Sequence, residues 1–248
     1  MEKIDIRGVL FDNVTPTEAI DFAEDCIKRG EQCVVFTPNA EIVQMAIEDN
    51  NFKDIINSAN LIIPDGAGVV LASKILKTPL KSKVAGCEFA ETLVKGSAEG
   101  KYKIFFYGSK PDTDEGISVA QLADRKMGEK YPNFKAAGTS HGYLKSEEKE
   151  ALIEKINSSG AEILFVCLGV PMQEKWIAEN RDKLKAELIV GLGGTLDVFA
   201  GTVKRAPKFF VKFNLEWFYR LVKEPKRLGR MMKLPKFIFG TLFMKKEK

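Results

Sequence analysis

Along the first 200 residues, short apolar runs alternate with longer stretches whose apolar positions recur three and four apart. Runs at residues 4–9, 33–37, 61–64, 103–107, 134–138, 163–168 and 188–192 predict strands. Several carry almost no polar residue, as in Ile163-Leu-Phe-Val-Cys-Leu. That pattern suits strands buried on both faces of a parallel sheet. Between them, residues 16–29, 111–130 and 146–159 predict amphipathic helices. Thr15-Pro16-Thr17-Glu18 sets a hydroxyl before a proline at the first helical position, a helix-start signal. The opening, Ile4 through Asp12, also suits a small hairpin. Strand–helix–strand alternation predicts an α/β fold: a Rossmann-like, mostly parallel sheet flanked by helices.

Charge divides the chain at residue 200. Residues 201–248 hold 14 Lys or Arg against 3 Glu, a net of +11, and residues 1–200 hold 24 basic against 31 acidic groups, a net of −7. The same 48-residue tail carries 9 of the 24 aromatics. The expected organisation is an α/β catalytic core over 1–200 and a helical, basic and aromatic appendage over 201–248. Basic plus aromatic composition suits an anionic surface. Phe210, Phe213, Trp217 and Leu221 recur as one helical stripe, and Pro225 ends or kinks that helix. The last stretch, Met231 to Met244, is rich in large apolar residues between lysines, suiting either the membrane interface or packing on the core.

Composition narrows the classes further. With 45% hydrophobic and 29% charged residues the chain reads as globular. No apolar run approaches the roughly 18–20 residues of a membrane-spanning helix, and Met1-Glu-Lys-Ile-Asp-Ile lacks a signal-peptide plan. Residence in the cytosol is expected. Cys26, Cys33, Cys87 and Cys167 have no CxxC spacing, which suggests reduced, mostly buried thiols. With one histidine, His141, and no cysteine cluster, no metal site and no cofactor is expected. Asp112-Thr113-Asp114 has the form of an ion-binding Asp-x-Asp but reads better as the acidic first turn of a helix.

In a parallel sheet, ligands bind beyond the carboxyl ends of the strands. Four runs end there in informative chemistry: Thr37-Pro-Asn39-Ala-Glu, Pro64-Asp65-Gly-Ala-Gly, Gly169-Val-Pro-Met-Gln173-Glu174, and Gly191-Leu-Gly193-Gly194-Thr-Leu-Asp. Singly, each has a plainer reading. Asn39 and Asp65 suit helix caps, Gln173 and Glu174 a first turn, and the glycines a tight strand-to-helix turn. Together they predict a site where hydroxyl, amide, carboxylate and glycine converge. Glycine turns at helix starts suit phosphate. Neither GxGxxG nor GxxxxGK[ST] is present, which argues against a dinucleotide dehydrogenase or a P-loop ATPase.

These four motifs, with His141-Gly-Tyr, Lys204-Arg-Ala-Pro and Leu215-Glu-Trp-Phe-Tyr-Arg, resemble the WecG/TagA/CpsF family of glycosyltransferases across almost the whole chain. The resemblance implies transfer of N-acetylmannosamine, or another hexose in some members, from UDP to the 4-hydroxyl of N-acetylglucosamine on undecaprenyl diphosphate, with inversion, in wall teichoic acid or related polysaccharide synthesis. Inversion in one displacement needs a base for the acceptor hydroxyl and positive charge for the departing UDP. By resemblance Asp65 is the base, and Thr37 stands with it as catalytic. Asn39, Gln173, Glu174, Gly191, Gly193 and Gly194 contact substrate, and Arg220, Arg227 and Arg230 compensate the diphosphate. Lys83, in Lys83-Val-Ala-Gly-Cys-Glu, stands where the family often has arginine, and so keeps the charge but loses the bidentate fork.

The expected partners are a UDP-sugar donor, a lipid-linked acceptor and the inner face of the cytoplasmic membrane, on which the protein is peripheral. Its tail is expected to fold over the Asp65 site there, and the same apolar face to favour a homo-oligomer in solution. A non-catalytic nucleotide-sugar-binding protein is the alternative. The acidic core and the lack of an RNA- or DNA-binding signature argue against a nucleic-acid partner.

Overall fold

The structure, a computed structural model, describes residues 1–203, 210 and 232–244. The chain opens with an antiparallel hairpin, β1 (Lys3–Ile6) and β2 (Val9–Asp12). Its two-residue turn, Arg7-Gly8, has positive φ at both positions, as a tight hairpin requires. There follow α1 (Pro16–Arg29), β3 (Cys33–Phe36), α2 (Ala40–Glu48), α3 (Asn50–Asn57), β4 (Leu61–Ile62), α4 (Ala67–Ile75) and α5 (Gly86–Ala98). The second half runs β5 (Ile104–Gly108), α6 (Val119–Lys130), β6 (Gly138–Ser140), α7 (Ser146–Ser158), β7 (Ile163–Cys167), α8 (Met172–Asn180), β8 (Leu188–Gly191) and α9 (Thr195–Ala200). The last described helix, α10, spans Lys233–Met244.

Strands β4-β3-β8-β7-β5-β6 form one sheet in which every pairing is parallel. The near-continuous apolar runs are explained by burial on both faces. Val35, Ile104, Phe106, Phe165 and Val190 point into the layer of α1, α5, α6 and α9. Their neighbours Val34, Phe105, Val166 and Ile189 point into the layer of α2, α3, α8 and α10. The hairpin is pinned to the sheet edge by Asp12, only 1% exposed. Its carboxylate accepts from Ile62 N at 2.8 Å and from Lys3 Nζ at 3.0 Å.

Several expectations are corrected. The helix anticipated from residue 111 begins at Val119, because Gly116 turns with φ 70° and Ser118 with Gln121 closes a capping box. Asp112 and Asp114 therefore lie exposed in a loop, not in a first turn. The strand expected at 134–138 starts only at Gly138. Upstream, the Asp124 carboxylate takes Ala136 N at 2.8 Å, so that segment is held by α6 before pairing with β5 begins. Cys26, at the end of α1, is joined in a disulfide to Cys33, at the start of β3, against the expectation of free thiols. Cys87 and Cys167 remain free. The two bonded cysteines flank one short turn with their Cα atoms 6.3 Å apart, a proximity that spacing alone did not suggest.

The end of the tail is no detached element. Helix α10 packs against α2 and α4. Phe237 and Thr241 are fully buried, and Leu234 and Ile238 pack against the same core. Lys233 and Lys236 both reach Glu48, at 3.2 and 2.6 Å. Arg7 Nη1 donates to Phe237 O at 3.3 Å, joining the hairpin turn to the last described helix. The stripe of Phe213, Trp217 and Leu221, with Pro225, lies outside the described residues.

Candidate active site

The sheet delivers four loops to one rim. Thr37 follows β3, and its hydroxyl donates to Gly191 O, the last residue of β8, at 3.1 Å. Two residues on, Asn39 caps α2 as its plainer reading anticipated: Oδ1 accepts from Ile42 N at 3.1 Å. Beyond β4, Asp65 is tied by its backbone to the same loop, Asp65 N donating to Pro38 O at 3.3 Å. It does not cap α4. Gly66 holds that position, at φ 87° and with no side-chain cap, which leaves the half-buried Asp65 carboxylate outside the helix start. Gly68, one residue into α4, lies where any Cβ would sit 2.9 Å from Ala40 Cβ and 2.8 Å from Leu234 Cδ1. The Asp65 loop, α2 and α10 thus meet at van der Waals limits.

Lys83 is half-buried on the loop between α4 and α5. The next residue, Val84, donates its N–H to Pro64 O at 2.9 Å, which seats this loop beside the one carrying Asp65.

On the other side of β8, Gln173 and Glu174 open α8 and are each 2% exposed. Gln173 Oε1 accepts from Gly193 N at 2.8 Å, and Gln173 Nε2 donates to Glu174 Oε1 at 2.9 Å. Burial pushes the Glu174 carboxyl up to about 7, offset only in part by its own backbone amide and by Gln173. Its Oε2 is buried with no hydrogen-bond partner. Glu174 is thus held inside the protein at the base of the rim, while Gly194 lies exposed on it. Gly191 is closely packed: a Cβ there would stand 3.1 Å from Phe36 and 3.2 Å from Gln173 Nε2.

One hydrogen-bonded series therefore crosses the rim, from Glu174 through Gln173 to Gly193, and from Gly191 to Thr37, with Asp65 joined through Pro38. Thr37, Asn39, Asp65, Lys83, Gln173, Glu174, Gly191, Gly193 and Gly194 lie along this rim, Gln173 and Glu174 both buried in it. Arg220, Arg227 and Arg230 lie outside the described residues. Asp112 and Asp114 are not joined to it, and among the described residues no three ion-ligating side chains gather.

The sequence reading missed a second part of the rim. Connections leave β5 toward β6 and β7 toward β8, in opposite directions, so a crevice opens between the carboxyl ends of β5 and β7. Ser109, at φ 58°, donates from Oγ to Asp197 Oδ2 at 2.8 Å there. Ser109 directly follows a strand run, which was the available signal. Beyond the end of β6, a groove of about 430 Å³ is lined by Pro111, Gln121, Thr139, His141 and Glu148 among others. His141 Nδ1 accepts from Tyr143 N at 3.3 Å.

A doubly covered parallel sheet whose polar groups gather on one carboxyl rim, carboxylate beside amide and glycine turns, defines an α/β protein with a ligand site on that rim. The chain belongs to the Glycosyl transferase WecG/TagA/CpsF family, which it matches over residues 4–248. It is 36% identical over 249 residues, spanning 100% of this chain and 94% of the relative, to an N-acetylglucosaminyldiphosphoundecaprenol N-acetyl-beta-D-mannosaminyltransferase of Bacillus subtilis (strain 168). It is 38% identical over 216 residues, 87% of this chain and 81% of the relative, to the protein of that name in Bacillus spizizenii. A third, from Staphylococcus aureus (strain MW2), is 35% identical over 239 residues, 96% of this chain and 91% of the relative. The expected family and fold class are thereby met, and the protein is a glycosyltransferase.

Proposed function

We propose that the protein moves N-acetylmannosamine from UDP-N-acetylmannosamine to the 4-hydroxyl of N-acetylglucosamine on undecaprenyl diphosphate, with Asp65 as the base, in wall teichoic acid or related surface polysaccharide synthesis. The observation that carries this is the seating of Asp65. It lies beyond the end of β4, where Gly66 and not Asp65 is the N-cap of α4, with its backbone joined to the Thr37–Asn39 loop. In one displacement the acceptor oxygen bonds to the sugar C1, its proton passes to the Asp65 carboxylate, and the C1–oxygen bond to UDP breaks with its electrons on the diphosphate. Lys83 from the neighbouring loop and Arg220, Arg227 and Arg230 from the tail supply positive charge to that leaving group. Thr37 and Asn39 position the sugar. The relatives' printed activity names this acceptor and this hexosamine, which supports the reading.

The acceptor is a lipid, so the protein works as a peripheral protein on the inner membrane face. No helix among the described residues is long and apolar enough to cross a membrane. The outer side of α10, with Met232 just before it, shows Phe239, Leu242 and Phe243, all four 42–63% exposed. Such large apolar side chains beside lysines suit the interface between headgroups and acyl chains. Asp65→Asn tests the chemistry. UDP binding, read by calorimetry, stays within twofold, while turnover of a lipid-linked N-acetylglucosamine acceptor falls at least a hundredfold. Retained turnover overturns the assignment. Product mass from a panel of UDP-sugars tests the donor.

A further inference from the structure

Gln173 lies on the rim, and its amide has two ends to orient. The structure occupies both. Gly193 N donates to Oε1 at 2.8 Å, and one Nε2 hydrogen goes to Glu174 Oε1 at 2.9 Å. An amide alone in that position has two orientations of similar shape, with oxygen and nitrogen exchanged. Glu174, as an acceptor, and Gly193 N, as a donor, select the same one of them. With Glu174 fixing nitrogen on its own side, oxygen is left to hold the Gly193 turn, where φ is 56°. That turn follows Gly191, whose carbonyl takes the Thr37 hydroxyl. The space that a Gly191 side chain would fill lies 3.2 Å from Gln173 Nε2.

We infer that Glu174 is a positioning residue: it does not touch substrate, but orients the Gln173 carboxamide so that the amide's second N–H faces the donor over β8 and its oxygen holds the Gly193 turn. This rests on the reading of the rim as the donor site. Glu174 is 2% exposed, and burial without a charged partner is costly for a carboxylate. A buried, half-partnered carboxylate in the first turn of α8 contributes little to stability, and orienting its neighbour accounts for its place there. Helix α8 packs against β7, β8, α3 and the turn at Arg181–Lys183. The charged residues on those elements are Lys53, Asp54, Arg181, Asp182 and Lys183, with Lys175 and Glu179 on α8 itself. None sets the behaviour of Glu174, which follows from burial, its own amide and Gln173.

The test is a cycle of Glu174→Leu, Gln173→Ala and the double variant, beside Glu174→Gln. Three measurements are made: UDP affinity by calorimetry, kcat and KM for the donor, and the nitrogen–proton resonances of the Gln173 side-chain amide, assigned by their loss in Gln173→Ala. Glu174→Leu weakens UDP and raises donor KM about tenfold, and adds nothing once Gln173 is Ala. Glu174→Gln, which keeps an acceptor, stays within twofold of wild type. Additive losses, or a Glu174→Gln as impaired as Glu174→Leu, overturn the inference. Should Glu174→Leu not fold, the amide resonances decide. In the wild type they shift with pH around a midpoint near 7, and in Glu174→Gln they do not. A flat wild-type titration overturns the coupling. A protein that binds no UDP, yet shows the amide titration, refutes the donor-site reading and leaves the Glu174–Gln173 coupling intact.

Discussion

Replacing Gly68 with alanine sets two effects against each other. In a helix interior, alanine in place of glycine stabilises by about 1 kcal/mol. At Gly68 the new methyl meets Leu234 Cδ1 at 2.8 Å and Ala40 Cβ at 2.9 Å, both below the distance real Cβ atoms tolerate. Leu234 is the far end of a flexible side chain and can turn aside. Ala40 Cβ cannot, since it is fixed to the first residue of α2. Overpacking of this kind costs about 1–3 kcal/mol. Because Gly68 is only the second residue of α4, the propensity gain is the smaller effect and the clash wins. The expected net loss is about 1 kcal/mol, which lowers Tm by roughly 2–4 °C in a chain of this size. The displaced group is the first turn of α4, three residues from Asp65. Kcat should therefore fall about tenfold, more than the loss of stability accounts for, since small displacements of reacting groups are costly. Leu234→Ala removes one of the two obstacles. The double variant should then melt higher than the two single losses predict. Differential scanning calorimetry with the lipid-acceptor assay reads both effects. A Gly68→Ala protein that melts at or above wild type refutes the close packing of α2, α4 and α10 described here.

Three further outcomes follow from buried or paired charges. The Glu174 carboxyl is raised from 4.5 to about 7, so between those values the folded protein holds a proton that the unfolded chain has lost. Stability falls as pH rises across that window and is level above it, by up to about 3 kcal/mol. Glu174→Gln flattens the slope, and denaturant midpoints that are parallel in both proteins from pH 5 to 8 count against it. Glu48 is held down to about 2, chiefly by Lys236, then Gln44 and Lys233. Its pairing is therefore present above the ordinary carboxylate range and lost as pH falls through about 2. Because the group is exposed, salt screens it. Glu48→Gln, or high salt, should speed amide exchange in α10, and unchanged protection shows the pairs to be idle. Asp12→Ala leaves the Ile62 N–H buried without its acceptor, which costs about 1–3 kcal/mol. A thermal midpoint within 1 °C of wild type, against the roughly 2 °C or more expected, contradicts that role for the carboxylate.

The fold was legible where burial is two-sided. Ile163 to Cys167 had to be a central strand, because no other element hides five successive apolar residues on two faces. Strand β6 was misplaced because it lies at the edge of the sheet, and its residues Gly138, Thr139 and Ser140 carry no apolar signal. Asp65 was visible as a polar residue directly after a strand. That Gly66, not Asp65, opens α4 depends on a backbone angle that sequence pattern does not carry. Gln173 and Glu174 looked equivalent as neighbours in one motif. Only packing shows that both are buried and that the first donates to the second. Ser109 and Asp197 are 88 residues apart and meet because the strand order sets β5 and β8 on either side of β7. The same holds for Glu48 and Lys236, whose pairing helps hold the last described helix on the core, one of the two places its composition suited.

The grip of Arg7 on the carbonyl of Phe237 has a consequence for how the protein is born. These residues are separated by 230 positions, so a ribosome must pass Phe237 before α10 can dock. Until then, the ground between α2 and α4 stands bare on the nascent chain. A polypeptide released early, by a stop codon or a stalled ribosome, would keep that sticky surface open and invite quality-control proteases. Concealment of this surface thus waits on the synthesis of α10.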